Sequence, residues 1–137
     1  MSLRLISFDT ETTGLYIESG DRVIEIGAVE ILDRVKTKAT FQTYLNPEGK
    51  AISEGAKQIT NINEQDLKKA PLFKDIVDDF INFVKGSELI IHNAQFDIGF
   101  INNELKLAKS KIKDIREICS VYDTLVVAKE MFPGQRN

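Results

Sequence analysis

Leu3-Arg4-Leu5-Ile6-Ser7-Phe8 leads straight into Asp9-Thr10-Glu11-Thr12-Thr13-Gly14, and the reading of this stretch decides the fold. Its first half is almost continuously apolar, the pattern of a strand buried on both faces. Its second half is a strand end carrying two carboxylates at i and i+2. Alternate side chains of a strand share a face, so Asp9 and Glu11 project together, with Cα atoms about 7 Å apart. Two like charges at a strand end are costly unless a cation or a proton relieves them. Clustered hard oxygens suit Mg²⁺ or Mn²⁺ better than Zn²⁺. Taken alone, a polar strand end running into a turn explains these residues equally well.

Working outward, Val23 to Leu32 is a second apolar-rich strand candidate, Asp33 to Thr37 a polar turn, and Phe41 to Leu45 an alternating third strand. Together they predict an antiparallel meander with the first strand innermost. Pro47 to Gly55 reads as loop, and Asn61 to Lys69 holds one short helix. Past Pro71 the period changes: Phe73, Ile76, Val77, Phe80, Ile81 and Val84 line one helical face. Glu88 to Ile91 is a short buried strand after Gly86, and Ala94 to Ala108 is helical again. Ile118 to Tyr122 is a last strand, with Asp123 as N-cap for a helix over Thr124 to Met131 that Pro133-Gly134 stops. Three meander strands followed by alternating helices and strands predict an α/β fold with a mixed five-stranded sheet flanked by helices.

At 137 residues, 42% hydrophobic and 28% charged, the chain is sized for a single globular domain without linker or repeat. No apolar run reaches the ~20 residues needed to cross a bilayer, so no membrane role is expected. One cysteine, Cys119, cannot form an internal disulfide, which fits a cytoplasmic setting. A net charge of −3 lacks the basic excess of proteins that grip nucleic acid unaided. The lysines at 106, 109, 111 and 113 read as a solvated helix end and loop, with a phosphate contact as the alternative.

A second strand end, this one followed by a helix, is His92-Asn93-Ala94-Gln95-Phe96-Asp97; it places Asp97 in a first helical turn, where the dipole favours a negative charge. Alone it reads as a helix-capping acid. With Asp9 and Glu11 on a neighbouring strand it completes wiring for two divalent ions about 4 Å apart. His92, the single histidine, reads as a hydrogen-bonded structural residue, and Cys119 as packing. There is no GxSxG, P-loop, GxGxxG or zinc spacing, which leaves serine-hydrolase, kinase and dinucleotide chemistry without support.

FDTETTG at 8–14, RVIEIGAVEI at 22–31, IIHNAQFDIGFINNEL at 90–105 and VYDTLVVAKEMFPGQRN at 121–137 resemble the DEDD-family (DEDDh-type) 3′→5′ exonucleases, above all the members that proofread for a replicative DNA polymerase. The resemblance covers nearly the whole chain. It implies an RNase H-like fold and two-metal hydrolysis, with Mg²⁺ or Mn²⁺ held by the catalytic Asp9, Glu11 and Asp97. It implies that Thr10, Thr12, Thr13, Gly14, His92 and Asn93 lie at the terminal nucleotide, with Leu15 packing on the base and Phe96 in the core below. Glu54 matches a substrate-contacting acid, and Thr60 stands where family members carry a substrate-contacting histidine. Implied partners are a single-stranded or frayed 3′ end of DNA and a polymerase catalytic subunit. The family's third motif, His-x4-Asp, supplies a general base and a fourth carboxylate. It would follow Phe132-Pro133-Gly134, so it is expected beyond Asn137, and the domain over 1–137 is expected to be incomplete.

Three alternatives stand beside proofreading. One is an RNA-end-trimming exonuclease with the same motif residues. Another is a non-cutting scaffold module of a polymerase, against which three intact acids argue. The last, a phosphotransferase with Asp9 as nucleophile, needs a second Asp where Glu11 stands.

Overall fold

The computed structural model describes residues 4–126. Its centre is a five-stranded mixed sheet of β1 (Arg4–Thr12), β2 (Val23–Leu32), β3 (Val35–Tyr44), β4 (Glu88–Ile91) and β5 (Ser120–Asp123), in the order β3-β2-β1-β4-β5. β1–β2–β3 is the antiparallel meander; β4 and β5 continue parallel to β1. The first strand is central, as expected. It is buried on one face only, though: Ile6, Phe8, Thr10 and Thr12 point inward, while Ser7 and Asp9 are exposed and Glu11 is half-buried. An antiparallel meander commonly leaves one face open, which corrects the reading of a doubly buried strand.

β3 starts earlier than the polar composition suggested. Asp33 and Arg34 both have positive φ and make a two-residue loop, so Leu32 pairs with Val35 at once. Lys36 and Lys38 then lie on an exposed edge strand, where charge discourages pairing with other chains.

The helices are α1 (Glu54–Thr60), α2 (Glu64–Leu67), α3 (Phe73–Val84) and α4 (Ala94–Leu107). α1 lies where a loop was expected to end, because caps rather than apolar spacing specify it. Ser53 accepts from the Ala56 N–H, and Asn61 closes the helix in the left-handed region. α2 is the short helix expected within Asn61–Lys69, reduced to one capped turn. α3 and α4 match the periodic segments, and β5 begins two residues later than expected. Helical conformation resumes at Thr124; Met131 and Pro133-Gly134 lie outside the described residues.

Two separate cores result. The main one joins Ile6, Phe8, Ile26 and Leu89 of the sheet to Phe73, Phe80, Ile98 and Ile101 of α3 and α4. Phe80 lies 6.0 Å, centroid to centroid, from both Phe8 and Phe73. The second comprises Ile24, Ile52, Ile62 and Leu67. It exists because of a bulge: Glu11 pairs with Glu25 but Thr12 pairs with Val23, so Ile24 is the extra residue. Val23 can then enter the main core while Ile24 anchors the α1–α2 segment. Among the described residues, no helix is long and apolar enough to cross a membrane.

Candidate active site

β1 pairs with β4 only as far as Ser7 opposite Ile90. Its last residues overhang the point where β4 gives way to His92-Asn93 and α4. The overhang places Asp9 and Glu11 on the open face and brings Thr10, on the other face, to Asp97 in the first turn of α4. The Thr10 hydroxyl donates to Asp97 Oδ1. Asp97 is only 5% exposed, and its carboxyl is pushed up to about 6. Burial is the main cause; the charges of Asp9 and Glu11 add to it, against the hydrogen bonds from Thr10. The Glu11 carboxyl is also raised, first by burial and then by Asp9 and Glu25. Glu25 faces Glu11 across the ladder and accepts from Gln42 Nε2 at 2.7 Å. The strand register reveals this fourth acid, which motif reading passed over.

Among the described residues, no lysine or arginine forms an ion pair with Asp9, Glu11, Glu25 or Asp97. Nor do three acid, histidine or cysteine side chains, as placed, stand close enough together to enclose an ion; Asp97 is engaged with Thr10. The donor chemistry nonetheless fits a hard divalent cation. These are oxygen ligands whose mutual repulsion nothing else relieves, and Asp9, Glu11 and Asp97 are the residues that would hold it.

Beside the acids opens a cleft of about 260 Å³, lined by Thr10, Glu11, Thr12, Gly14, Leu15 and Thr60 of the expected set. Ser53, Gly55, Ala56, Ile59 and Phe96 line it as well. Phe96 was expected in the core; it packs on Phe100 at 4.8 Å and also forms a wall of the cleft. Among the described residues, Leu15 and Ile59 are the most exposed large apolar side chains, at 67% and 83%.

The loop carrying Leu15 is held from below. Buried Asp21 accepts from the Thr13 hydroxyl at 2.7 Å and the Tyr16 N–H at 3.1 Å, and the Arg22 N–H donates to Thr13 Oγ1. Thr13 is therefore fully buried and structural in its contacts. Gly14 is required by close approach: a Cβ there would lie 2.4 Å from Asp21 Oδ2. The Ser53 N–H donates to the Thr13 carbonyl, which ties α1 to this loop.

Besides buried Thr13 and the acids Asp9 and Asp97, the expected Glu54, His92 and Asn93 lie outside the cleft lining. Glu54 is exposed on the first turn of α1, near Lys57. His92 Nδ1 shares a 2.9 Å hydrogen bond with Thr124 Oγ1, in keeping with a structural histidine. Asn93 is exposed with φ +64°, and its N–H donates to Asp123.

The sequence model of the RNase_T exonuclease family matches residues 6–137. The chain belongs to this exonuclease family. Members generally work with divalent metal ions. Across 98% of its length the chain is 49% identical to the DNA polymerase III subunit epsilon of Buchnera aphidicola (strain APS) and to that of Rickettsia prowazekii. It is 42% identical to the Salmonella typhimurium subunit. This exonuclease-family chain spans 57%, 58% and 56% of those relatives. Among solved structures, exonuclease I bound to an inhibitor superposes with a TM-score of 0.82 at 17% identity, over 96% of this chain and 30% of that one. Exonuclease X in complex with 5′-overhanging duplex DNA gives 0.65 at 23%, over 98% and 66%. At such identities these likenesses establish the fold, the RNase H-like sheet expected of the family.

Proposed function

We propose that this chain carries the active site of a metal-dependent 3′→5′ exonuclease that proofreads DNA 3′ ends for a replicative polymerase and releases 5′-mononucleotides in the cytoplasm. One observation carries the reading: Asp9 and Glu11, without a counter-charge among the described residues, stand on the overhanging end of β1, and Glu11 lines an apolar cleft that exposed Leu15 and Ile59 also line. Flat rings stack on such apolar surfaces whatever their sequence, while the acids await the adjoining phosphodiester. A frayed, mispaired end is cheaper to unpair and so reaches the cleft more often. The polymerase catalytic subunit would deliver the DNA, which offsets the negative charge of the chain.

In this reading Asp9, Glu11 and Asp97 hold two Mg²⁺ or Mn²⁺ ions, which supply Lewis acidity that makes a water nucleophilic and stabilises the leaving oxygen. The Thr10 hydroxyl holds Asp97, and the Asp21-braced loop presents Leu15 to the terminal base. Thr12, Gly14, Glu54, Thr60, His92 and Asn93 remain substrate-side residues of the proposal, and buried Thr13 holds the loop behind them. His92 is engaged with Thr124 and is not assigned as the general base.

The test is release of labelled nucleotide from a 3′-mismatched primer by the full-length protein with Mn²⁺ or Mg²⁺, beside Asp9→Ala. Release abolished by the substitution supports the reading. Equal rates from both proteins, or release from RNA ends alone, would sink it.

A further inference from the structure

We propose that Asp123 is a positioning residue for the metal site: its carboxylate clamps the start of α4 to the end of β5 and thereby fixes where Asp97 stands. The proposal rests on the metal-dependent reading above.

Sequence alone makes Asp123 the N-cap of the helix that follows it, and it does accept from the Leu125 N–H at 2.9 Å. That accounts for part of one oxygen. The same Oδ1 accepts from the Asn93 N–H at 3.1 Å, and Oδ2 accepts from the Ala94 N–H at 2.9 Å. The first N–H groups of a helix have no intrahelical partner, and Asn93 offers none from its own side chain. A residue of the next strand takes over the cap of α4. The ladder makes this possible, since Asp123 pairs with Ile91, directly before the turn.

The turn needs such a hold. Asn93 sits in the left-handed region, which disfavours most residues other than glycine. Asp97 lies three residues past Ala94 in a buried setting that opposes its charge. Two anchors therefore set its position: the Thr10 hydroxyl on the carboxylate itself, and Asp123 on the backbone that carries it. Thr124 reinforces the second anchor through His92. Burial works to raise the Asp123 carboxyl, yet the N–H groups of Ala94, Leu125, Asn93 and Val126 outweigh it and hold the group below its usual value, as an ionised clamp requires.

The test is Mn²⁺ affinity of the full-length protein, measured by calorimetry well below the melting midpoint, with circular dichroism to confirm the fold. Asp123→Asn keeps the shape but replaces one acceptor oxygen with a donor facing backbone N–H groups. Asp123→Ser retains an oxygen able to cap its own helix but is too short to hold Asn93 and Ala94. Both are expected to lose affinity by about 10- to 100-fold, the usual effect of removing a partner that orients a metal ligand. Glu104→Gln, which loosens α4 about two turns past Asp97, should lower the melting point and leave affinity unchanged.

Wild-type affinity in either Asp123 variant overturns the clamp, as does an equal loss in Glu104→Gln, which would make the effect general loosening. Full rescue by serine alone reduces Asp123 to an ordinary cap. A fourth arm, Asp97→Asn, separates the two readings. If wild type binds no Mn²⁺, or Asp97→Asn binds it equally well, the metal reading fails and the clamp with it. If only the Asp97 variant loses binding, the clamp alone fails.

Discussion

Asp97→Asn is expected to stabilise the metal-free protein at neutral pH. In the unfolded chain an aspartate ionises near 3.8; in the fold, burial above all and then the charges of Asp9 and Glu11 push Asp97 up to about 6. Between those values the folded chain keeps a proton that the unfolded chain has lost. Stability therefore falls as pH rises through this window, and above it the whole penalty is present. At 1.36 kcal/mol per pK unit the penalty is at most about 3 kcal/mol. Asparagine removes the charge and still accepts from the Thr10 hydroxyl. Allowing for partial relaxation, a gain of about 1–3 kcal/mol corresponds to ~3–10 °C in melting temperature for a domain of this size.

The assay is thermal unfolding of both proteins in excess chelator, at about pH 7.5 and about pH 4, the latter near the ionisation of an unfolded aspartate. The variant should melt several degrees higher at neutral pH, and the gap should close in acid. Adding Mn²⁺ should reverse the order, because only the wild type gains stability from binding by mass action. A variant less stable than wild type in chelator at neutral pH, or a gap that persists in acid, would refute the reasoning.

Glu104 is 1% exposed, paired with Arg22 through two 2.8 Å hydrogen bonds and bonded to the Val23 N–H. Glu104→Ala leaves the Arg22 guanidinium with exposed Glu48 alone, at 3.2 Å, and the Val23 N–H without its acceptor; it should cost about 3 kcal/mol, read as a shift in denaturant midpoint. Gly14→Ala drives a methyl into the Asp21 carboxylate; it should cut nuclease activity at least tenfold, while Gly99→Ala, whose methyl meets only an ordinary 3.7 Å contact with Ile17, should not. Leu15→Ala and Ile59→Ala remove exposed side chains, so melting should stay within about 0.5 kcal/mol of wild type. KM for single-stranded DNA should nevertheless rise; unchanged KM in both would remove the cleft from the binding surface.

Both strand ends were legible because the apolar runs ending in Asp9-x-Glu11 and in His92 to Asp97 change polarity abruptly, and the second also switches from strand to helix period. The central place of β1 and the faces of α3 and α4 followed for the same reason. α1 was hidden because no residue of Glu54–Thr60 is buried; its signal lies in Ser53 and Asn61 alone. The bulge could not be read, since Val23-Ile24 looks like any doubly apolar pair until Thr12 is seen opposite Val23. Ile59 escaped notice because an apolar residue in a loop-like stretch gives no sign of being exposed. Asp123 was visible as a cap; its reach to Asn93 and Ala94 depends on a contact about thirty residues away in sequence.

The division into two cores carries a consequence for how the molecule works through time. The acids stand on strands and a helix rooted in the large cluster, whereas Ile59 and Thr60 belong to a segment moored by only four buried residues. So small a mooring opens locally at far lower free energy than the sheet unfolds. Under the proposed function, the cleft wall carrying Ile59 and Thr60 is expected to loosen before the strands that carry the carboxylates. By the same division, within the proposed function, substitutions at Ile52, Ile62 or Leu67 are expected to change how the cleft holds a chain end before they disturb the acids.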